Sequence, residues 1–214
     1  MDLKKLLKPE TVAIVGASEK AGFGGDTTRN YLKFSKNLDK LYLVNPGRDS
    51  IFGRKAYHSL TDIKGDVDLV ILCTPQKTIL PLLREAAGKN CGGAVVFASG
   101  YGETGAEGKA LQKELTEEAD RLGIAVMGPN CAGFANFIDG IFAFAFLVEE
   151  RDRSGNIGMI SQSGQIVLGG LDSPGMGFSH VVSSGNSCNV KVEDYLEFLV
   201  EDDDTKVVAA YIEG

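Results

Sequence analysis

The residues best suited to chemistry lie where short apolar runs end in glycine. Residues 11–26, TVAIVGASEKAGFGGD, run from a β-branched apolar stretch into Gly16, Gly22, Gly24 and Gly25. Such glycines let the backbone turn tightly and approach a ligand, and Asp26 or Thr27 is expected to cap a helix continuing to Phe34. A strand, a glycine turn and a helix N-terminus aim unpaired N–H groups and the helix dipole at one spot, which suits a phosphate; a tight turn with no ligand uses the same residues. Ser161, Gln162, Ser163 and Gly164 form a second cradle of this kind, for a phosphoryl group or as ordinary serine capping. Ser163 is no nucleophile by pattern, because GxSxG is absent and no base is adjacent in sequence. Ser183, Ser184, Gly185 and Asn186 make a comparable turn.

These turns need elements to hold them. Residues 41–44 (LYLV), 69–73 (LVILC), 94–98 (AVVFA) and 124–127 (IAVM) are further apolar runs ending in turn signals, with helical patterns at 79–87 and 106–122 between them. Strands alternating with helices imply a parallel sheet with right-handed crossovers. Residues 1–133 therefore read as a Rossmann-like domain and 134–154 as a connector. A partial flavodoxin-like α/β domain follows over 155–214, with strands at 157–161, 179–183 and 207–212 and helices at 165–171 and 192–200. Three strands make a small core with an open edge, so the chain is expected to be a piece of something longer or to need a partner.

Open parallel sheets bind ligands at the carboxyl ends of their strands. In the first domain these ends carry Gly16, Ala17 and Ser18; Asn45, Pro46 and Arg48; Thr74 and Pro75; Ser99, Gly100 and Glu103; and Asn130 and Cys131. Small and polar, they suit an elongated phosphorylated ligand, either a dinucleotide or coenzyme A. An NAD site usually has an acid after its second strand; here Arg48 stands there, which fits the 3′-phosphate of CoA, the 2′-phosphate of NADP, or a solvated surface charge. Residues 100–105 match GxGxxG, but Glu103 inside that turn would repel a pyrophosphate.

Composition narrows the partners. A net charge of −7 argues against nucleic acid or an anionic membrane, and the greasiest run, residues 140–148, is too short to span a bilayer. Cys73, Cys91, Cys131 and Cys188 have no CxxC spacing, so neither a metal site nor a disulfide framework is indicated, and a reducing cytoplasm fits best.

GPNCAG at 128–133, SGNIGMISQSG at 154–164, FSHVVSSGN at 178–186, EDYLEFLVEDDDTK at 193–206 and YIEG at 211–214 occur in order. Together they resemble the CoA-binding and first ligase-type regions of NDP-forming acyl-CoA synthetases, whose members include the α-part of ADP-forming acetyl-CoA synthetase and the α-subunit of succinyl-CoA synthetase. The resemblance implies conversion of acyl-CoA, phosphate and a nucleoside diphosphate to acid, CoA and the triphosphate, through an acyl phosphate and a phosphohistidine. It places Gly16, Ala17, Ser18, Asn45, Pro46 and Arg48 on CoA, with Thr74, Pro75, Ser99, Gly100 and Glu103 lining the rest of that site. Asn130 and Cys131 would lie near the thioester end, where Cys131 either reacts or is simply a buried small residue. Ser161, Ser163 and Gly164 would cradle the phosphoryl group and Glu213 would orient the phosphohistidine. Phe142, Phe144 and Phe146 would meet an apolar acyl chain or pack in a core.

The resemblance also implies phosphate as a ligand, an ATP-grasp domain or subunit bringing ATP or ADP and Mg, and a possible homo-oligomer. His58 and His180 lie outside the family's phosphohistidine position, which is expected downstream of YIEG, so residues 1–214 alone should not complete phosphoryl transfer. Asn189 stands where the family carries an acid. The alternatives are an NADP-binding reductase domain and a non-catalytic CoA-responsive regulatory module.

Overall fold

A computed structural model describes residues 2–148 and 154–213. The chain runs α1 Lys4–Leu7, β1 Val12–Val15, α2 Phe23–Phe34, β2 Leu41–Val44, β3 Ser50–Ile51, β4 Arg54–Tyr57, β5 Leu69–Leu72, α3 Ile79–Ala87, β6 Gly93–Val96, α4 Ala106–Leu122 and β7 Ala125–Met127. It continues through β8 Gly133–Asn136, β9 Ile141–Phe144, β10 Ser154–Ser161, α5 Gly164–Asp172, β11 Phe178–Ser183, α6 Val192–Glu201 and β12 Val207–Tyr211.

The first sheet has the order β3-β4-β2-β1-β5-β6-β7, parallel except for the β3–β4 pair. Strands β1, β5 and β6 are buried along their whole length, as a sheet covered on both faces requires. After β1 the chain builds β2 on one side and then returns to place β5 on the other, so the strand order reverses at β1. That reversal opens a crevice at the carboxyl ends of β1 and β5.

The second sheet has the order β12-β10-β11-β8-β9, with β10 parallel to both β11 and β12. Two of its strands were not expected. Within the stretch read as a connector, β8 and β9 form an antiparallel pair, and β8 also pairs antiparallel with β11. Both are buried at every position, so their sequences, GFAN and IFAF, lack the alternation that marks a half-exposed strand. The Phe142 ring packs tilted against Phe34 at 5.0 Å and edge-on to Phe137 at 5.1 Å, and Phe144 is fully buried. Residues 149–153 of that stretch, and Gly214, lie outside the described residues. The edge strand β12 exposes Val207, Val208 and Tyr211. No helix of the described residues is long and apolar enough to cross a membrane.

Helix α2 also begins earlier than expected, at Phe23 with Gly22 at its cap, so Asp26 lies in the first turn. Thr27 is buried and its hydroxyl donates to the Phe144 carbonyl at 2.9 Å, serving the hairpin and not a cap.

His180, in β11, is fully buried beside Asp202, whose carboxylate accepts from Lys8 Nζ at 2.6 Å and from the Thr205 hydroxyl at 2.8 Å. Its Nδ1 lies 3.6 Å from Asp202 Oδ2, and neither ring nitrogen has a hydrogen-bond partner. Burial pulls its pKa from 6.5 down to about 4, with Asp202 opposing. The unfolded chain therefore binds the proton that the folded chain refuses, so stability is complete above pH 6.5 and falls as the pH drops toward 4. The loss assigned to His180 is about 3 kcal/mol. Urea denaturation at pH 7 and at pH 4.5 should show this loss in the native protein and little of it in His180→Phe.

Candidate functional site

The turn after β1 is fastened to the turn after β2. The Gly16 and Ala17 amides donate to the Val44 carbonyl at 2.9 and 3.2 Å, and Asn45 Nδ2 donates to the Ala17 carbonyl at 2.8 Å. Asn45 Oδ1 then accepts from the Gly47 amide at 2.9 Å. Gly16 has φ of 85°, and a side chain there would meet the Cys73 carbonyl. On the facing side, a Cβ on Gly24 would overlap the Gly16 carbonyl oxygen and one on Gly25 would overlap that of Lys20. The glycines thus bring the first turn of α2 directly against the end of β1.

That helix start makes no side-chain cap, and its first helical bond runs from the Asp26 amide to the Gly22 carbonyl at 2.8 Å. The amides of Phe23, Gly24 and Gly25 precede the helical ladder and add to the positive end of the helix dipole. They border a cavity of about 420 Å³ whose lining includes Gly16, Ser18, Lys20, Thr74, Pro75 and Ser99. A second cavity of about 400 Å³ adjoins it, with Gly16, Thr74 and Pro75 lining both and Pro46 on the far side. Ala17 is fully buried behind this wall, and Asn45 acts by pinning the turn. Arg48 is exposed on its turn, its amide bonded to the Asn45 carbonyl at 3.3 Å, and it lines neither cavity.

Gly100 and Glu103 have other partners. Glu103 Oε1 accepts from the Gly100 amide at 2.6 Å and from the Tyr101 amide at 3.3 Å, so the GxGxxG match spends two of its amides on its own acid. Oε2 accepts from Asn186 Nδ2 at 2.5 Å. Partial burial raises the Glu103 pKa, but the Asn186 bond and the two amides outweigh it and leave it below its ordinary value. Gln112 completes this tie, accepting from the Gly102 amide at 3.0 Å and from Asn186 Nδ2 at 3.1 Å.

Asn130 has φ of 57° and reaches Asn186 Oδ1 at 3.3 Å. Cys131 beside it is buried, its thiol pointing to the Val96 carbonyl at 3.5 Å, and burial pushes its pKa up to about 12. It is a packed thiol and no thiolate nucleophile. Asn189 accepts from the Val126 amide at 2.9 Å and donates to the Ile124 carbonyl at 2.9 Å, fastening the second unit to β7.

In the second cradle, buried Ser161 donates to the Ser163 carbonyl at 2.8 Å and accepts from the Ser163 amide at 3.0 Å, which shapes the turn into α5. Ser163 occupies the cap position without making a side-chain cap. The turn abuts the first unit: the Gly164 Cβ position lies 3.3 Å from Ala132 Cβ, and Ser183 Oγ accepts from the Ala132 amide at 3.1 Å. Glu213 is exposed, its amide bonded to Gln162 Oε1 at 2.7 Å, which puts it on the rim of this cradle. Phe146 is exposed and packs edge-on to Phe23 at 6.1 Å.

A family profile described as a CoA binding domain matches residues 10–136, more than half of the chain. The chain belongs to this CoA-binding family. A second profile, a succinyl-CoA ligase like flavodoxin domain, matches residues 154–214 of the same CoA-binding chain. It is 36% identical over 219 residues to an ADP-forming acetate–CoA ligase II of Archaeoglobus fulgidus, covering 100% of this chain and 32% of that protein. It is 35% identical over 216 residues to the α-subunit of an ADP-forming acetate–CoA ligase II of Pyrococcus furiosus, covering 99% of this chain and 46% of that one. A dinucleotide-forming acetyl-coenzyme A synthetase 1 of Candidatus Korarchaeum cryptofilum, solved with phosphate and ADP, superposes with a TM-score of 0.91 at 31% identity, over 100% of this chain and 46% of that one. The chain thus spans 32% to 46% of the length of these relatives.

Lys20 lines the glycine cavity but carried no sequence signal, since a lone polar residue in a glycine turn looks like ordinary surface; Gln76, in the strand-end turn with Thr74 and Pro75, lines it as well. Asn186 was visible only as part of a turn, because its partners Glu103 and Gln112 are distant in sequence. Gly24→Ala should destabilise the protein by about 1–3 kcal/mol, because backbone must move to admit the methyl group. Gly169→Ala, with nothing within 4 Å of its Cβ position in α5, should instead stabilise by about 0.5–1 kcal/mol. Chemical denaturation of both variants checks the contrast.

Proposed function

We propose that this chain binds coenzyme A across the β1–β5 crevice, as the CoA-binding part of an ADP-forming acyl-CoA synthetase. The observation that carries the proposal is the uncapped start of α2 held against Gly16, bordering a cavity with Lys20 in its wall. A diphosphate fits this place: amides lacking helical partners and an ammonium supply the donors, and the glycines remove every side chain that would keep the ligand away. Coenzyme A, when bound, supplies the thiol that carries the acyl group.

The chain's own residues position that ligand. Ser18, Thr74 and Ser99 offer hydroxyls along the crevice, and Asn45 keeps the β1 turn in register with the β2 turn. Arg48, exposed and with no side-chain bond among the described residues, is assigned to the 3′-phosphate. The turn at Ser161, Ser163 and Gly164 is assigned to phosphate, and its contact with Ala132 supports a route from the CoA crevice along the Asn130–Cys131 turn. Glu213, on the rim of that turn, is assigned to orienting a phosphorylated histidine.

The overall conversion proposed is acyl-CoA, phosphate and a nucleoside diphosphate to acid, CoA and the nucleoside triphosphate. ATP or ADP and Mg would enter through an ATP-grasp domain or subunit, in a cytoplasmic, homo-oligomeric assembly. Feruloyl is the acyl group in the name of one relative, a trans-feruloyl-CoA synthase 35% identical over 218 residues, so aromatic acids belong among the substrates tried.

Calorimetry with CoA, dephospho-CoA and NADP tests the assignment. CoA should bind tightest, and Arg48→Ala should weaken CoA about fivefold while changing dephospho-CoA little. Tighter binding of NADP than of CoA would contradict the assignment and favour a reductase domain.

A further inference from the structure

Three aromatic rings meet at the glycine cavity, and two of them stand half in water. Phe23, the first residue of α2, lines that cavity and is 44% exposed. Phe146, just beyond β9, is also 44% exposed, and Leu147 after it is 56% exposed. The Phe23 ring lies 6.1 Å from that of Phe146, at 86° to it, and 5.9 Å from that of buried Phe97. Phe142 and Phe144, on the same hairpin, are instead buried in the core. Adjacent apolar side chains left in water beside a cavity mark a surface that a ligand or partner covers.

The exposure is built into the backbone. Asn30, buried on α2, donates from Nδ2 to the carbonyls of Phe144 at 3.2 Å and Phe146 at 2.7 Å, and its Oδ1 accepts from the Val148 amide at 3.0 Å. This side chain does for the end of the hairpin what a neighbouring strand would do, so the chain at residue 146 is pinned while its ring stays in water. Phe97 fixes where the corner lies. It directly precedes Ala98 and Ser99 of the cavity wall, and its Cε1 is 3.0 Å from the Cβ position of Gly133. The aromatic cluster therefore joins the glycine cavity to the turn at 128–133, the turn assigned to the thioester end of the ligand.

We propose that the corner formed by Phe23 and Phe146 receives the acyl group of an acyl-CoA and selects an aromatic acid. The inference rests on the assignment of CoA to the crevice. Two rings standing nearly at right angles offer a planar group offset stacking on one and edge-to-face contact with the other. An aliphatic chain of similar size gains apolar contact alone, and an acetyl group is too small to cover either ring. Phe23 and Phe146 are on this assignment specificity-determining residues. One comes from the helix turn whose amides face the diphosphate, the other from the hairpin that joins the two sheets.

Calorimetry with CoA, acetyl-CoA, hexanoyl-CoA and phenylacetyl-CoA tests the proposal on the native protein, Phe146→Ala and Phe23→Leu. The native protein should prefer phenylacetyl-CoA over acetyl-CoA by about fivefold or more. Phe146→Ala should lose most of that preference while binding free CoA as the native protein does. Phe23→Leu keeps an apolar surface without a ring, so it should hold hexanoyl-CoA but lose the advantage of phenylacetyl-CoA over it. Equal affinity of the native protein for the three thioesters, or an unchanged preference in Phe146→Ala, would overturn the role of the corner while leaving CoA binding in place. Sedimentation adds a separate check: a dimer that Phe146→Ala dissociates, with the acyl preference unchanged, would give the corner to a second copy of the chain and overturn the proposal. Failure of the native protein to bind free CoA would overturn the assignment of the crevice together with it.

Discussion

The architecture depends on one close contact, where the first turn of α2 lies against the carbonyl of Gly16 with no side chain between them. Parallel strands β1 and β5 fix the place of that turn, and the β2 turn is tied to it through Val44 and Asn45. Glycine at 24 lets the helix approach the end of β1 this closely, while glycine at 16 and 25 clears the Cys73 and Lys20 carbonyls beside it. The contact leaves helical amides facing a crevice, and those amides are the physical basis of the proposed ligand site. Insert a methyl group there and both packing and site are disturbed together.

The second constraint is the way the two sheets are joined. The last turn of the first unit runs directly into β8, which pairs with β11, so the turns at 128–132 and 184–186 are held side by side. The Asn186 amide donates to the Pro129 carbonyl at 2.9 Å, and Asn186 also holds Glu103 and Gln112. Polar ties with fixed geometry therefore connect the loop at 99–103 to the turn at 184–186, beside the proposed phosphate cradle. Such ties are directional, so they fix the spacing of the two proposed anion sites in a way that apolar packing alone does not.

Much of this was legible in the sequence. Runs such as TVAIV, LVILC and AVVFA, apolar, rich in β-branched residues and bounded by turn signals, read as buried strands, and the turns after them named Gly16, Ser18, Thr74, Pro75 and Ser99, which do converge on one crevice. Three features were hidden. The β8–β9 hairpin is buried on both faces and gives no alternating pattern. The start of α2 at Phe-Gly-Gly runs against helix propensity and is set by contact with β1, so the better caps at Asp26 and Thr27 mislead. Glu103 looked like a ligand-lining acid, but its partner Asn186 lies 83 residues away, beyond the reach of any local pattern.

The central claim is that a ligand diphosphate sits on the exposed amides at the start of α2. Amide hydrogen exchange on the native protein, with and without saturating CoA, measures those groups directly. Slowed exchange concentrated in residues 16–25 and 74–76, with a smaller effect at 99–103 through the Glu103 tie, is the predicted result. Unchanged exchange across residues 16–25 at saturating CoA, or protection confined to another face of the sheet, would contradict it.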